Sequence, residues 1–138
     1  MIDFKDTVFF NDGQIIACLA SNPWKPGHTI VCWNDAAIRN LWELSPDEAA
    51  RFWTIVSGVQ KILRNVYRAF NVPIMYWNIK QMSVHVHLIP LCADTADDDM
   101  VKFTKEFVVT AVTREIAEDD LIEIPALKRA CQLLIQRG

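Results

Sequence analysis

Two of the three histidines in this chain, His85 and His87, stand two positions apart in an apolar run that extends from Ser83 to Pro90. Successive side chains of a β-strand point to opposite faces, so Ser83, His85 and His87 are expected to share one face. The aliphatic residues between them are expected on the opposite face, toward a core. A neutral imidazole can act near neutral pH as a nucleophile, a proton carrier or a metal ligand. The pattern therefore predicts a site for chemistry, and the alternative is a pair of half-buried structural histidines with satisfied hydrogen bonds.

Composition limits the class of protein to which such a site can belong. The chain has 138 residues, 51% of them hydrophobic and 22% charged, which predicts one globular domain over residues 1–138. The net charge of −3 and the absence of a lysine or arginine run argue against a nucleic acid polymer or an anionic membrane as partner. No apolar run is long enough to span a bilayer, and the N-terminal residues lack the features of a signal peptide. The four cysteines show no Cys-x-x-Cys spacing, so we expect free thiols in a reducing cytoplasm.

The elements that must position the histidines can be read from apolar periodicity and turn residues. Asn11-Asp12-Gly13 separates two apolar runs and is typical of a hairpin turn, because these residues tolerate positive φ. Five strands are predicted at residues 6–10, 14–20, 28–33, 72–79 and 84–91.

One long helix has the clearest local signal in the chain. Ser45-Pro46-Asp47-Glu48 forms a predicted capping box with proline at the first helical position, and the helix is expected to run to about Phe70. Its predicted apolar stripe is Ala49, Phe52, Trp53, Val56, Val59, Leu63, Val66, Tyr67 and Phe70. Further helices are predicted at residues 100–117 and 125–136, the latter with Leu127 on its inner face. The order predicts an α+β domain: a mostly antiparallel sheet of about five strands, one long helix packed on it and C-terminal helices.

Three segments, in this order and spacing, resemble the histidine triad (HIT) family. They are Asn-Pro-Trp-Lys-Pro-Gly-His-Thr-Ile-Val at residues 22–31, Leu-Trp-Glu-Leu-Ser-Pro-Asp-Glu at 41–48, and Val-His-Val-His-Leu-Ile-Pro at 84–90. The third is similar to the end of the triad itself. The resemblance covers residues from about 6 to 92, with a C-terminal helical extension over about 100–138 outside it. It implies a HIT-like fold and a homodimer built through the long helix and neighbouring strands.

The resemblance implies a nucleotidyl hydrolase or transferase. In that family the middle histidine attacks the α-phosphorus of a nucleotide, and water then resolves a covalent nucleotidyl-histidine. Aligned on the Ile-Pro ending, His85 matches the nucleophile, His87 the last triad histidine and His28 the histidine of the Pro-Gly-His segment. An alternative register, with His85 and His87 as the first two triad members, would place Ile89 third and break that ending. The implied partner is a small phosphorylated ligand, a nucleotide, and no cofactor is required. A backbone carbonyl bound to one ring nitrogen of the nucleophile would fix its reactive tautomer.

The chain also departs from the family pattern. The first triad position, whose histidine helps the leaving group depart in the family, is Ser83, and a hydroxyl cannot carry a proton near neutral pH as imidazole does. Loss of a general acid costs about two to four powers of ten in rate. At the position of the acidic residue that holds the ribose hydroxyls in the family, this chain has Ala20. In place of the family's basic Pro-Lys-x-His element, it has Trp-Asn-Asp-Ala at residues 33–36. Ser83, Gln81 and Asn78 remain as candidate substrate-binding groups.

These departures leave three hypotheses open. The leading one is the enzyme, with His85, His87 and His28 as catalytic residues. The second is a HIT-fold module that has lost its chemistry and binds a phosphorylated ligand or serves as a dimerising scaffold. The third is a zinc site that takes three nitrogen ligands from these histidines. We rank it last and assign no metal ligands.

Overall fold

Strand β5, which carries both neighbouring histidines, lies inside a five-stranded antiparallel sheet. The computed structural model describes residues 7–21, 23–76, 83–91 and 124–132. The strands are β1 (Val8–Asn11), β2 (Ile15–Leu19), β3 (Thr29–Trp33), β4 (Ile74–Met75) and β5 (His85–Leu88). Their order in the sheet is β1-β2-β3-β5-β4, and every neighbouring pair is antiparallel. The predicted fold class is confirmed, although β4 is shorter than predicted and residues 77–79 lie outside the described residues.

Helix α1 (Pro46–Val66) begins as the sequence predicts and ends earlier. The Ser45 side chain accepts a hydrogen bond from the Glu48 backbone N–H at 3.2 Å, and the Glu48 carboxylate accepts one from the Ser45 N–H at 2.9 Å. This reciprocal pair satisfies two of the N–H groups that a helix start leaves unbonded. The helix stops before the predicted Phe70 because Arg68 adopts a left-handed backbone conformation with φ of 52°.

The core lies between α1 and one face of the sheet. The buried helix residues are Phe52, Ile55, Val56, Val59 and Leu63. They pack in one cluster with Ala17, Val31 and Val86, which stand opposite one another on β2, β3 and β5. Because strand side chains alternate, His85 and His87 lie on the sheet face away from α1.

Two details of the predicted apolar stripe are wrong. Trp53 is 40% exposed and Phe70 is 68% exposed, whereas Ile55 is buried without having been predicted so. Neighbouring helix positions are about 100° apart around the axis, so Trp53 falls beside the buried stripe that contains Phe52. Phe70 lies beyond the end of the helix.

The hairpin turn between β1 and β2 is built as predicted and is joined to α1. The Asp12 carboxylate accepts hydrogen bonds from the N–H groups of Gln14 and Ile15, and it forms an ion pair with Arg51 of α1 at 2.9 Å. Partial burial pushes the pKa of Asp12 upward, but the Ile15 N–H and the Arg51 guanidinium hold it below its usual value. Gly13 occupies the turn with φ of 92°.

The C-terminal helical segment, residues 124–132, also joins the core. Ile124, Leu127 and Cys131 are buried in the same cluster as α1. The helix predicted at 100–117 lies outside the described residues. Within the described ranges, no helix has the length and apolarity needed to cross a membrane.

Gly27 brings the chain close to two other elements just before β3. Its φ is 83°, and a Cβ atom placed on it would lie 2.6 Å from the Tyr67 ring and 2.9 Å from Cγ of Pro90. A side chain here would therefore meet both a strained backbone conformation and occupied space. Gly13 matches it in φ but has no atom within 4 Å of the added Cβ.

This pair of glycines separates backbone strain from crowding. Gly13→Ala is expected to lower the free energy of unfolding by about 1 to 2 kcal/mol, the cost of a left-handed non-glycine residue. Gly27→Ala is expected to lower it by about 1 to 3 kcal/mol more, because Tyr67 and Pro90 must also move. Urea denaturation of both variants measures the difference. Equal losses would show that the approach of Gly27 to Tyr67 and Pro90 costs nothing to relieve.

Candidate functional site

His85 is held in one tautomer by the backbone that precedes β5. The residue is 4% exposed, and Nδ1 of its ring lies 2.8 Å from the carbonyl oxygen of Ser83. A carbonyl oxygen only accepts hydrogen bonds, so Nδ1 carries the ring proton and is the hydrogen-bond donor. Nε2 of a neutral His85 is then left with its lone pair, which is the form that a nucleophile needs.

The loop before β3 also fixes the tautomer of His28, but through a backbone hydrogen-bond donor instead of an acceptor. The loop turns back on itself because the His28 N–H donates to the Lys25 carbonyl at 3.0 Å. The Trp24 N–H then donates to Nδ1 of the His28 ring at 3.0 Å. A backbone amide N–H can only donate, so Nδ1 is unprotonated and a neutral His28 carries its proton on Nε2.

His28 stays neutral because it is buried. It is 1% exposed, and this burial lowers the pKa of its imidazole from 6.5 to about 3. Above pH values near that figure, the ring has one proton only, on the nitrogen that faces β5.

The tautomer of His28 determines the tautomer of His87. Nε2 of His28 lies 3.0 Å from Nδ1 of His87, so His28 donates and His87 accepts. A neutral His87 therefore carries its proton on Nε2. Its ring centroid is 5.2 Å from that of His28 and 5.2 Å from that of His85, and the two β5 rings meet edge to face at 76°. The structure thus brings all three predicted catalytic histidines together, with His87 in the middle.

Of the other predicted site residues, the structure describes Ser83 only. Ser83 is half-buried in the bend before β5 and supplies the carbonyl that holds His85. Gln81 and Asn78 lie outside the described residues. Ala20 donates its N–H to the His28 carbonyl at 2.8 Å, so the position that carries an acid in the family lies beside the site without one.

Two features of the site are missed by the sequence analysis. The donor to His28 is a backbone N–H of Trp24, and no residue type signals such a donor. Cys32 of β3 stands directly opposite His85, and only the register of the two strands shows it. Burial raises the pKa of the Cys32 thiol to about 11. Burial and the nearby Cys32 raise the pKa of the Cys18 thiol to about 12, so both are protonated thiols.

A zinc site would need His28 to give up one of its hydrogen bonds. Both of its ring nitrogens are engaged, Nδ1 with the Trp24 N–H and Nε2 with Nδ1 of His87. In the part of the chain that the structure describes, no group of three or more histidine, cysteine, aspartate or glutamate side chains is placed to hold an ion.

The buried neutral state of His28 makes stability depend on pH. Below pH 6.5 the imidazole of residue 28 binds a proton in the unfolded chain. In the folded chain it binds that proton only when the pH falls to its lowered pKa of about 3. The stability from neutral His28 is therefore complete above pH 6.5 and is lost as pH falls, by about 2 kcal/mol at pH near 5. His28→Gln keeps an N–H donor toward His87 but cannot titrate. Its free energy of unfolding should fall less than that of the wild type between about pH 7.5 and about pH 5.

Thermal or urea unfolding at the two pH values gives the comparison. Lys61→Gln, on the exposed surface of α1, serves as control and should keep the wild-type pH dependence. An unchanged pH dependence in His28→Gln would contradict a neutral buried imidazole at this position.

The fold and the site can now be compared with known proteins. The HIT domain family model matches residues 3–93. A hypothetical histidine triad nucleotide-binding protein from Sulfolobus tokodaii has a TM-score of 0.69 at 16% identity, over 93% of this chain and 85% of that chain. A zinc-bound histidine triad family protein from Mycobacterium smegmatis has a TM-score of 0.67 at 15% identity, over 95% and 87%.

A third similar structure is a Hit-like protein from Bartonella henselae, described as involved in cell-cycle regulation, with a TM-score of 0.67 at 18% identity over 90% and 85% of the chains. At these identities the structural matches show a shared fold. Comparison with curated protein sequences gives no significant match. Because the HIT domain model matches well over half of its residues, this chain belongs to the histidine triad (HIT) family.

Proposed function

We propose that this protein is a nucleotide-binding hydrolase or transferase that acts on a nucleotide α-phosphate through a covalent intermediate on His85. The observation that carries the proposal is the 2.8 Å hydrogen bond from Nδ1 of His85 to the Ser83 carbonyl, which leaves Nε2 of the neutral ring unprotonated. Membership of the HIT family supports a nucleotide as ligand. The nucleotide-binding description of the Sulfolobus tokodaii relative supports it further.

The same hydrogen bond helps the ring after attack. When Nε2 of His85 bonds to phosphorus, the bond from phosphorus to the leaving group breaks and the leaving group keeps the electron pair. The imidazole becomes positively charged, and its Nδ1–H donates more strongly to the Ser83 carbonyl. Water then attacks phosphorus, the N–P bond breaks, its electron pair returns to Nε2, and the proton of the water passes to solvent. Splitting one displacement into two in this way is the general gain of nucleophilic catalysis.

His87 and His28 have supporting roles in this proposal. His87 offers its Nε2–H to a phosphate oxygen as a hydrogen-bond donor, with its ring orientation set by the bond from His28 at 3.0 Å. His28 acts through His87 and is a positioning residue. Ser83, Gln81 and Asn78 stay proposed substrate contacts.

Replacement of the nucleophile tests the proposal. His85→Asn keeps an amide N–H near the Ser83 carbonyl but has no nucleophilic nitrogen, so turnover should fall by more than about 10³-fold while the fold is kept. The substrates are a panel of mononucleotides, dinucleoside polyphosphates and nucleoside phosphoramidates. Mass spectrometry after an acid-free quench should find a nucleotidyl adduct on His85 of the wild type and none on the variant.

A binding module without chemistry is the second candidate, favoured by Ser83 at the first triad position and by Ala20 beside His28. It predicts ligand-induced thermal stabilisation of wild-type protein and of His85→Asn alike. Binding of panel members without turnover or adduct in the wild type would establish this candidate and end the enzymatic one.

The proposed assembly is a homodimer. Strand β4 ends the sheet among the described strands, and Phe70 and Ile74 beside it are 68% and 39% exposed. Trp53 on α1 is 40% exposed. Large apolar side chains in such positions are typical of interfaces.

Solution mass tests the dimer. Wild-type protein should show about twice the 15.8 kDa chain mass in light scattering. Phe70→Asp combined with Ile74→Asp should be monomeric, because association would bury unpaired carboxylates. Gln14→Asp, in the turn at the opposite end of the sheet, should remain dimeric. A monomeric wild type would refute the assembly.

We also propose a cytoplasmic location. Cys18, Cys32 and Cys131 are all free thiols, which fits a reducing compartment.

A further inference from the structure

The loop that carries His28 lies beside β5 at the point where the backbone ladder between β3 and β5 ends. The last pair in register is Thr29 with Leu88. Beyond this pair, the His28 N–H donates within its own loop at 3.0 Å, and the Ile89 N–H donates at 3.2 Å to the carbonyl of Pro73, on the other side of β5. Side-chain contacts must therefore help to hold His28 beside β5.

The Tyr67 ring makes such a contact at the end of the ladder. Two residues beyond Thr29 and Leu88, in the same register, are Gly27 and Pro90. A Cβ atom placed on Gly27 would lie 2.6 Å from Cε2 and 2.7 Å from Cζ of Tyr67, and 2.9 Å from Cγ of Pro90. The backbone of Gly27 thus packs directly against the tyrosine ring and the proline.

The end of α1 holds the ring in this position. Tyr67 is the C-cap residue, and its N–H donates to the Leu63 carbonyl at 3.0 Å. Its side chain is half-buried and packs against the main core cluster. The next residue, Arg68, turns the chain out of the helix with φ of 52°. The helix and the core therefore fix the surface that the loop of His28 meets.

A second aromatic residue in the loop has a different task. The Trp24 side chain packs against the small cluster of Ile89 and Leu91, and its N–H donates to Nδ1 of His28. Trp24 thus determines which nitrogen of the His28 ring carries the proton. Tyr67 meets the backbone immediately before His28 and so determines where that ring begins.

The hydrogen bond from Nε2 of His28 to Nδ1 of His87 spans 3.0 Å between the two segments that meet at this ring. Gly27 directly precedes His28. Pro90 follows His87 by three residues. We propose that Tyr67 is a positioning residue for this hydrogen bond. Its ring sets the separation of the His28 loop from β5, and with it the distance over which His28 donates to His87.

The hydrogen bond is sensitive to this separation. A donor and an acceptor about 3.6 Å apart no longer form a hydrogen bond, so a shift of the loop by less than about 1 Å is enough to break it. The consequence for turnover rests on the proposed function at His85. Without the bond from His28, the His87 ring would offer its Nε2–H to a phosphate oxygen in a less fixed orientation.

Replacement of the ring tests the positioning role in the absence of substrate. The measurement is the NMR scalar coupling between the two nitrogen nuclei of the N–H···N bond, His28 Nε2 and His87 Nδ1, in isotope-labelled protein. Wild type and Tyr67→Phe should both show it, because phenylalanine keeps the ring carbons that face Gly27. Tyr67→Leu leaves a space beside Gly27 and should lose the coupling.

Two further pairs of variants separate positioning from stability. Phe52→Leu removes a buried ring from the first half of α1 and should keep the coupling at a similar cost in stability. Gly27→Ala must displace the Tyr67 ring and should lose the coupling. Gly13→Ala has the same kind of backbone strain in open space and should keep it.

Turnover on the nucleotide panel is the second measurement. Tyr67→Leu should lower kcat and kcat/KM together by about 10 to 10²-fold with little change in KM, because an interaction made in the transition state is misplaced. Tyr67→Phe should keep the wild-type values. Phe52→Leu should also keep them at a temperature where it is folded.

The outcomes distinguish the positioning role from the proposed function. A coupling that persists in folded Tyr67→Leu, that is equally lost in Phe52→Leu, or that is absent from the wild type overturns the positioning role. Gly27→Ala decides the question if Tyr67→Leu does not fold. An active wild type with unchanged kcat in Tyr67→Leu overturns the consequence for turnover. Absence of turnover in the wild type overturns the proposed function at His85, and the coupling still decides the role of Tyr67.

Discussion

The alternation of side chains along β5 is the constraint on which the rest of this structure depends. Val86 stands fully buried against Val31 and α1, while His85 and His87 lie on the other face. A slip of one residue in the pairing of β3 and β5 would turn the imidazoles into the core and expose the valine. The core contacts that stabilise the domain therefore also fix the register that aims the histidines. In β5, one strand register therefore determines both the packing of the core and the direction of the two imidazoles.

The second organising feature is the direction of the hydrogen bonds that end on the histidines. Each chain of bonds begins at a backbone group that cannot change its role: the Trp24 N–H for His28, and the Ser83 carbonyl for His85. An imidazole by itself can adopt either tautomer. Tied to a backbone donor or acceptor, it can adopt only one. The loop before β3 and the bend before β5 thus decide which nitrogens carry protons: Nε2 is unprotonated in a neutral His85 and protonated in a neutral His87.

Two departures from the family pattern, Ser83 and Ala20, lie at or beside the histidine cluster. Ser83 and Ala20 replace side chains that carry function in the family, yet both remain part of the site through their backbones, which hold His85 and His28. The backbone contacts of His85 and His28 are therefore kept at two positions where the side chains differ from the family pattern.

The sequence by itself determined what depends on short-range rules. The Ser45–Glu48 capping box, the Asn11–Gly13 turn and the alternation around His85 follow from side-chain chemistry and strand periodicity within a few residues. These were enough to predict the fold class, the long helix and the pairing of His85 with His87 on one face. The family resemblance added His28, which local pattern alone does not connect with β5.

Only the tertiary structure decided what depends on groups far apart in the chain. The bond between His28 and His87, the position of Cys32 opposite His85 and the early end of α1 at Val66 all follow from sheet register or loop conformation. The tautomer of each histidine belongs to this second set, because it is set by a backbone atom whose position no residue type encodes. Residue identity supplied the imidazoles, and folding supplied the partners that give each of them a role.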